Sequence, residues 1–541
     1  MILSFCFIIS FFERTDQMNK IIRFFKGEIT AMKNELNIFE YIFWWLLRAG
    51  MIWALVVQFK DDPTDVKTLM LALNLLATFT VPLIRILLFP KAFFGKLPFR
   101  CQTWLNLLIV FASFLSHGLD FNHDVTSWDK TLHAMAGFFL LLIGNEIAEP
   151  LMRKGDKASK GFRILTATGF SFFAIVAWEV YEFIVDYNWF ESANMAYNID
   201  PDRDPFFLWL FGGRSANFDT GFAAVFDTVI DMLCAVVGAI PAIIFLYFYL
   251  RAKERKAGIT PPPKEAKVRY GGIIPFLKSE IKALREGVTT AEYIFWWVLR
   301  IGQAIMLAYR YKLHGPSSVT VLIMTLNLIA TFAIPLVRIL IPFKRAVTKI
   351  PFRCQTWINF IIIFASFLSH GFNFSYTVTS YDKFLHVMMG SVALLIGNEL
   401  ITPFLRKGDR VSPLLRTLNA TGFSFFAIVI WEVYEFIIDY YWPESGNMAY
   451  RMPENNPITQ EPFFVKLYGG PSPNFSKTVF EEVGIFDQGL DSFGMDSLFD
   501  TLTDMICAIA GIIPVMIGLY LILKYKEKKE LKKAEKEAVT V

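Results

Sequence analysis

Long apolar runs separated by polar loops dominate the chain, and each half contains six of them. In the first half they cover residues 40–58, 68–89, 103–119, 131–150, 163–185 and 225–250. In the second half they cover residues 292–309, 319–341, 356–372, 384–404, 415–438 and 499–523. A helix that crosses a bilayer needs about 20 mostly apolar residues, and backbone groups in lipid pair only within their own segment. The pattern therefore predicts an all-α polytopic membrane protein with about 12 transmembrane helices.

The two halves share whole stretches of sequence. Glu40-Tyr-Ile-Phe-Trp-Trp returns at 292–297, and Gly169-Phe-Ser-Phe-Phe-Ala-Ile-Val returns at 422–429. Repeats of this length indicate two copies of one domain. Because six spans is an even number, both six-helix repeats should have the same orientation, related by a pseudo-twofold axis along the membrane normal.

Composition changes along the chain set the expected domain boundaries. The apolar stretch 1–12 is about half the length of a span and lacks the features of a signal peptide. We expect an N-terminal amphipathic or cytoplasmic segment, the first repeat, a basic, proline-containing cytoplasmic linker, the second repeat and a charged cytoplasmic tail. These cover residues 1–35, 36–250, 251–287, 288–524 and 525–541, respectively.

Lys and Arg accumulate in alternate loops. In the first half, the loops after the second, fourth and sixth runs hold 3, 5 and 7 of these residues, whereas those after the first, third and fifth hold 2, 1 and 2. By the positive-inside rule, the basic loops and both termini are expected to be cytoplasmic. The long loop between the fifth and sixth runs would then face outward.

Composition agrees with a membrane location and narrows the function. The chain is 54% hydrophobic and only 19% charged, with 56 Phe, whereas soluble chains carry about 25% charged residues. Its net charge of +4 is small, so nothing points to nucleic acid as a partner. The five cysteines form no CxxC pair, and we expect buried thiols and no disulfide.

Polar motifs interrupt three of the apolar runs in each half, with spacings that place their members on one helical stripe. The predicted topology brings all three motifs of a repeat to the same outer level of the membrane. Ionisable groups at such a depth are costly and indicate a functional site. The motifs are Asp129 with His133, Trp178-Glu179 with Glu182 and Asp186, and Asp227 with Asp231, repeated as Asp382 with His386, Trp431-Glu432 with Glu435 and Asp439, and Asp500 with Asp504.

Three kinds of chemistry suit these residues. Carboxylates with a histidine can hold a divalent cation, which is the cofactor we consider, although the sequence does not identify it. Without a metal, a histidine oriented by a carboxylate can act as a general base, and intramembrane carboxylates also form proton or substrate paths. The candidate catalytic residues are His133, Glu179, His386 and Glu432; the candidate metal ligands are Asp129, Glu182, Asp227, Asp231, Asp382, Glu435, Asp500 and Asp504; His117 and His370 are candidates for a surrounding layer.

Structural roles compete with these interpretations. Asp129, Asp382 and Asp227 could each be a helix N-cap, and the histidines could be satisfied core residues. A second polar set on the expected cytoplasmic side could pack helices together or form the inner end of a transport path. Pro82 and Pro335 should kink the second run of each half. The second set is Arg48, Arg85, Asn106, Asn145 and Glu146, repeated as Arg300, Arg338, Asn359, Asn398 and Glu399.

The motif order resembles a known family. It resembles that of the YjdF-like group of uncharacterised bacterial membrane proteins and, more loosely, that of VanZ-like proteins. The matching residues of the first copy are Asp129-Lys130 and His133, Glu179 and Glu182, and Asp227 and Asp231 before Gly238. The second copy matches with Asp382-Lys383, His386, Glu432 and Glu435, and Asp500 and Asp504 before Gly511. The resemblance implies a bacterial cytoplasmic-membrane protein and, for VanZ-like members, a link to glycopeptide resistance. This chain departs from the pattern by its tandem duplication and its long outer loops.

Three functional hypotheses follow. The first is a membrane enzyme, metal-dependent, with an outward-facing His/carboxylate site in each repeat that acts on a lipid-linked or cell-wall substrate. The second is a transporter of a small solute or ion, since parallel six-span repeats also build carriers. The third is a non-catalytic module that binds an envelope ligand. The lipid bilayer is the one partner common to all three, and the sequence leaves the oligomeric state open.

Overall fold

The structure is a computed structural model of the chain, and it describes residues 16–88, 96–125, 128–152, 159–188, 223–256, 258, 273–340, 350–378, 381–401, 411–441 and 493–540. These residues form helices and short connections, with no strand among them. The all-α prediction is therefore confirmed. The chain divides into two compact units, Met1–Asp124 and Val125–Val541.

Among its described residues, the first unit contains a four-residue helix, Phe121–Asp124, and five longer helices, the last of which continues as a π-helical segment over Val110–Gly118. The longer helices are α1 (Asp16–Glu35), α2 (Ile38–Asp61), α3 (Val66–Ala77), α4 (Thr80–Leu88) and α5 (Arg100–Ile109).

The second unit contains the remaining eleven numbered helices. They are α6 (Trp128–Leu151), α7 (Lys160–Asn188), α8 (Ala223–Lys256), α9 (Ile273–Gly287), α10 (Thr290–His314), α11 (Val319–Ala330), α12 (Ala333–Leu340), α13 (Arg353–Ile362), α14 (Tyr381–Ile401), α15 (Pro413–Tyr441) and α16 (Phe493–Thr540). A π-helical segment, Ile363–Gly371, follows α13 just as one follows α5, so the repeat is structural as well as sequential.

Among the described residues, seven helices are long and apolar enough to cross a membrane. Two bent pairs, α3 with α4 and α11 with α12, each pass the same test together, which raises the number to nine. The chain is thus a multi-pass membrane protein. The total of twelve spans and the side on which the termini lie stay predictions.

The break between α3 and α4 follows from a proline. Pro82 has no N–H, so the carbonyl group of Thr78, four residues earlier, loses its helical partner. The helix bends by 59° there. Arg48, only 4% exposed, donates from Nη2 to that carbonyl oxygen at 2.7 Å, and its guanidinium carbon lies 3.8 Å from the centre of the Phe79 ring. A basic side chain inside an apolar helix thus satisfies a backbone acceptor that the kink exposes.

A glutamine satisfies the other backbone groups at this break. Gln102 accepts a hydrogen bond from the backbone N–H of Val81 at 2.8 Å and donates to the carbonyl of Ala77 at 3.1 Å. The same side chain donates to Asn106 at 2.7 Å. These contacts join α3, α4 and α5, which is the helix-packing role considered for the second polar set.

The second unit repeats this arrangement. Arg300 donates to the carbonyl of Thr331 at 2.6 Å, four residues before Pro335, and the bend between α11 and α12 is 64°. Gln355 accepts from the N–H of Ile334 at 2.9 Å and donates to Asn359 at 2.7 Å. The kinks expected at the two prolines are present in both units.

Two amphipathic helices precede the long ones. In α1, Glu28 receives two hydrogen bonds from Arg85 at 2.6 and 3.0 Å. In α9, Glu280 receives two from Arg338 at 2.6 and 3.2 Å. Because α9 lies within 251–287, the segment predicted as a linker contains a docked helix that is the counterpart of α1.

Small residues allow close packing in the second unit. A Cβ atom added to Gly137 of α6 would overlap the carbonyl group of Ala235 in α8, and one added to Gly238 would overlap that of Ala134. Gly390 and Gly511 make the equivalent approaches between α14 and α16. Helix backbones therefore touch directly in each three-helix core, which here means α6–α8 in the first repeat and α14–α16 in the second.

The two three-helix cores meet along α7 and α15. A Cβ atom on Gly169 would lie 2.6 Å from Cα of Gly422. One turn further along, Phe172 packs edge-on against Phe426, and Phe173 packs against Phe425, each with ring centres 5.1 Å apart. Phe172 and Phe173 correspond to Phe425 and Phe426 of the other repeat, so these contacts are related by a local twofold axis. Residue numbers increase together along both helices, so α7 and α15 run in the same direction.

The cysteine expectation is confirmed within the described residues. Cys101, Cys234, Cys354 and Cys507 are buried free thiols. Cys6 lies outside the described part of the chain.

Candidate functional site

A cluster of ionisable side chains lies where α6 and α8 begin and α7 nears its end. Asp129 stands in the first turn of α6, and His133 follows one turn later on the same face. Glu179 and Glu182 come from the last part of α7, and Asp231 from the early part of α8. The three helices thus bring together motifs separated by about 100 residues of sequence, as the topology predicts.

His133 is the centre of this cluster. Its Nε2 atom lies 3.7 Å from Oδ1 of Asp129 and 3.8 Å from Oδ2 of Asp231. Its Nδ1 atom lies 3.5 Å from Oε1 of Glu179 on the opposite side of the ring. Both His133 and Glu179 are buried, at 4% and 0% exposure. The ring therefore points one nitrogen at the aspartates and the other at a fully buried glutamate.

Lys130 is a member of the cluster that sequence reasoning placed in the motif but not among the site residues. Its ammonium nitrogen lies 3.0 Å from Oδ2 of Asp129 and 2.9 Å from Oδ1 of Asp231, and it also pairs with Asp227. The lysine is 4% exposed. Asp227, proposed as a metal ligand, is thus in contact with a cation already. The available signal was the charge itself, since a lysine at the start of an apolar run needs a buried partner.

Glu182 is oriented by its neighbour one turn earlier. Trp178 donates from its indole N–H to Oε1 of Glu182 at 2.8 Å. Glu182 is 7% exposed and lies in the group formed with His133 and Glu179. The Trp-Glu-x-x-Glu motif therefore fixes the second carboxylate by a hydrogen bond within the helix.

The second repeat reproduces the geometry. His386 Nε2 lies 3.8 Å from Asp382, 3.6 Å from Asp504 and 3.9 Å from Glu435, and Nδ1 lies 3.5 Å from Glu432.

The surrounding contacts are repeated as well. Lys383 lies 3.1 Å from Asp382 and 2.9 Å from Asp504, and Trp431 donates to Glu435 at 2.8 Å. Independent recurrence of these distances makes the arrangement a property of the repeat.

The donor set fits a divalent cation. Among the described residues, three groups of side chains have ligand atoms within 4.8 Å of one another. Carboxylate and imidazole donors suit Zn²⁺, Mn²⁺ and related ions. Neither oxygen of Glu179 accepts a hydrogen bond from the described residues, which leaves both available to the His133 ring or to an ion. The groups are Asp129, His133 and Asp231; His133, Glu179 and Glu182; and Asp382, His386 and Glu435.

Charge balance in the cluster also requires a cation or protons. Among the described residues of the first repeat, the cluster contains five carboxyl groups and one ammonium group, that of Lys130, which pairs with three of them. Four of the five carboxyl groups are at most 7% exposed. Uncompensated buried charge costs several kcal/mol per ion, on the order of a domain's whole stability. The cluster can therefore be stable only if it takes up protons or a further cation.

Some predicted residues are not among the described partners of the cluster histidines. His370 lies in the π-helical segment Ile363–Gly371, and the described ion pairs of His386 are with Asp382, Glu432, Glu435 and Asp504. His117 belongs to the first unit, whereas the cluster of its repeat belongs to the second. The side chains of Asp186, Asp439 and Asp500 lie outside the described residues.

The helix-cap interpretation applies unevenly. Asp227 lies four residues after the start of α8 at Ala223, so it is inside the helix and is not an N-cap. Asp129 and Asp382 do stand in the first turns of α6 and α14, where a negative charge also interacts favourably with the helix dipole.

At the other end of the three-helix core, the second polar set joins helices. Arg163 donates to Asn145 at 3.0 Å, and Arg416 donates to Asn398 at 2.9 Å. Both contacts connect neighbouring helices of one core, again the packing role.

Comparison with known proteins places the chain by family alone. No curated protein and no solved structure matches this chain. A family model described as "Predicted membrane protein (DUF2238)" matches it twice, over residues 40–252 and 294–525. These matches cover most of the chain and coincide with the two repeats, so the chain is a tandem duplicate belonging to the DUF2238 family of membrane proteins.

Proposed function

We propose that each repeat binds one divalent cation at its His/carboxylate cluster and that the protein is a metal-dependent membrane enzyme acting on a lipid-linked or cell-envelope substrate. The observation that carries this proposal is the orientation of the two histidines. In both repeats Nε2 faces a set of carboxylates and Nδ1 faces a fully buried glutamate. Metal-binding histidines commonly donate their other N–H to such a carboxylate.

The residues then take distinct roles. His133, Asp129 and Asp231 would hold the ion, and Glu182 of α7, which lies in a second group with His133, would add a further carboxylate. Glu179 fixes the tautomer and orientation of the His133 ring. In the second repeat the corresponding residues are His386, Asp382, Asp504, Glu435 and Glu432.

Lys130 supports the site without being a ligand. Its ammonium group holds Asp227 and Asp231 in place through ion pairs, which reduces the negative charge that a single divalent ion must balance. When bound, a divalent ion would polarise a phosphoryl or carbonyl oxygen of the substrate and favour attack by water.

Access from one face favours an enzyme over a transporter. One turn beyond His133, Gly137 of α6 lies in backbone contact with Ala235, which is one turn beyond Asp231 in α8. Direct backbone contact leaves no passage between these two helices beneath the cluster. Each repeat also has its own complete set of residues. A site that is closed between these helices, with Asp129 39% exposed at the start of α6, suits reaction with a substrate at the membrane surface.

The likeness to YjdF-like and VanZ-like proteins supports a place in the bacterial cytoplasmic membrane. With both termini cytoplasmic, as the loop charges predict, the clusters face outward, where lipid-linked precursors of the envelope are found.

A metal-free general base is the second candidate, because the His133–Glu179 pair needs no ion. In that case Glu179 would orient His133 for proton transfer. Metal analysis separates the two candidates.

The deciding experiment measures the metal content of the full chain, purified without a polyhistidine tag and reconstituted in lipid nanodiscs. We expect about two ions per chain for the wild type, one for His133→Ala or His386→Ala, and none for the double variant. His314→Ala is the matched control, because His314 is exposed at the end of α10 and its described hydrogen bond is with Arg310. Near-zero content in the wild type after metal loading would reject the metal site and leave the general-base candidate.

A further inference from the structure

The outer surface of α9 carries an apolar stripe beside a basic stripe. Successive residues of an α-helix are about 100° apart, so the exposed side chains Ile274, Leu277 and Ile281 form one stripe. They are 64%, 36% and 51% exposed. Lys278, Lys282 and Arg285 are exposed directly beside them. Such a division is typical of helices that lie in a membrane–water interface.

The position of α9 along the chain fixes its level in the membrane. Only two residues, Val288 and Thr289, separate it from α10. Thr289 caps α10 with Glu292, whose backbone N–H it receives at 3.2 Å, and the apolar helix starts there. Helix α9 therefore lies within a few residues of the point where the chain enters the bilayer, so its exposed apolar stripe is at the level of the lipid surface.

Docking of the opposite face sets the rotation of α9. Glu280, 8% exposed, is held by the bidentate pair with Arg338, which also donates to the carbonyl of Ile350 at 2.6 Å. Leu284 packs into the apolar cluster around Trp296. A buried ion pair with these contacts cannot turn outward without a large cost. The apolar and basic stripes are thereby held away from the protein core.

The first unit contains the same arrangement. In α1, Phe25 and Ile29 are exposed apolar residues, and Lys26 and Lys33 are exposed beside them. Glu28 is the docked residue. Around the axis of each helix, in the same direction of rotation, the docked face is followed by the apolar stripe and then by the basic stripe. The two helices also align in sequence, since Phe25, Lys26, Glu28 and Ile29 of α1 correspond to Leu277, Lys278, Glu280 and Ile281 of α9, so the order is a feature of the repeat.

We infer that α9, and α1 in the same way, is a lipid-contact helix that inserts its apolar stripe at the membrane surface and binds anionic lipid headgroups with its basic stripe. The complementary charge points to the headgroups, since each basic side chain near an anionic leaflet gains electrostatic attraction. On the expected topology this is the cytoplasmic leaflet. The inference does not depend on the metal site.

The experiment places an environment-sensitive fluorophore on α9 of the full chain. Leu277→Cys and Glu286→Cys are compared in a Cys6→Ser background, because the other four cysteines are buried. Both positions are exposed, but Glu286 lies on the water-facing side of the basic stripe. The chains are reconstituted in nanodiscs of phosphatidylcholine, with or without phosphatidylglycerol, and quenching by brominated lipid is measured.

We expect a blue-shifted, lipid-quenched label at position 277 and an unquenched label at position 286. Phosphatidylglycerol should increase the quenching at 277, and Lys278→Gln/Lys282→Gln/Arg285→Gln should abolish that increase. An unquenched label at 277 would overturn the inference, as would a blue shift that depends only on protein concentration, which would indicate a second copy. If phosphatidylglycerol does not change the quenching at position 277, binding of anionic headgroups by the basic stripe is rejected.

Discussion

The ammonium group of Lys130 lies 2.9 Å from a carboxylate oxygen of Asp231, and both side chains are almost completely buried. The pair joins the beginnings of α6 and α8 in the first repeat. Lys383 and Asp504 repeat it at 2.9 Å in the second. A buried lysine with several acidic partners gives the cluster a fixed internal cation.

Removal of that cation should destabilise the protein. Lys130→Met leaves Asp227 and Asp231 buried without their partner, and breaking a buried pair from one side costs about 3–5 kcal/mol. Thermal unfolding in detergent should show a clearly lowered transition. Adding Asp227→Asn should recover part of the loss, because it removes one of the stranded charges.

Lys67→Met is the control for this change. Lys67 pairs with Asp120 at 3.0 Å, but the side chains are 42% and 50% exposed, so the pair contributes at most about 1 kcal/mol. A Lys130→Met effect no larger than that of Lys67→Met would contradict the assigned role of Lys130.

Arg48 and Pro82 should be energetically coupled through the carbonyl of Thr78. Arg48→Met leaves that buried oxygen without a donor, at a cost of about 1–3 kcal/mol. Pro82→Ala restores an N–H at the position that bonds it in a regular helix, so Arg48→Met should cost less in that background. A double-mutant cycle on the free energy of unfolding measures the coupling, and additive effects would refute it.

Gly169 should tolerate no side chain. A Cβ atom there would lie 2.6 Å from Cα of Gly422, so Gly169→Ala must separate α7 from α15, at about 1–3 kcal/mol. Gly518→Ala in α16 is the matched control, because nothing lies within 4 Å of the added atom and alanine favours a helix by about 0.5–1 kcal/mol. Melting temperatures that fall equally in both variants would show that α7 and α15 are farther apart at Gly169 than the structure places them.

Glu179 should affect metal binding through His133. Loss of a carboxylate that orients a metal-binding histidine typically lowers metal affinity about 10–100-fold. Titration of Glu179→Gln with Mn²⁺, followed by electron paramagnetic resonance, should show this fall at one of the two sites.

Glu149→Gln serves for comparison with Glu179→Gln. Glu149 is 43% exposed near the end of α6 that is far from His133, and it pairs there with Lys253. An unchanged Mn²⁺ affinity in Glu179→Gln would contradict the proposal that Glu179 orients the His133 ring.

The fold and the depth of the site in the membrane could be predicted, because both depend on the length of the apolar runs and on the helical spacing of the polar residues. Apolar runs of bilayer length give the helices, and the loop order brings the beginnings of two helices and the end of a third to one level. These two features were enough to predict that His133, Glu179 and Asp231 lie close together.

The partners of the buried charged side chains could not be predicted from the sequence. Some of these partners are backbone groups, and others lie in segments outside the apolar runs. Arg48 bonds a carbonyl that becomes available only because Pro82 interrupts the helix. Glu28 and Glu280 lie in the segments predicted as an N-terminal amphipathic or cytoplasmic segment and as a linker, yet each pairs with a buried arginine. Lys130 stood in the predicted motif, but its three carboxylate partners could not be assigned, because sequence alone does not show which face of a helix end is covered.

The contact between α7 and α15 includes one unequal pair. Asn419 donates to the hydroxyl oxygen of Thr166 at 2.8 Å and to the carbonyl of Phe162 at 3.3 Å. Thr166 and Asn419 occupy the same position of the two copies. An assembly of two identical chains would have to place the same residue on both sides of its symmetry axis. Covalent fusion lifts that restriction, so the two copies are free to become different from each other at their junction while each keeps its own polar cluster intact.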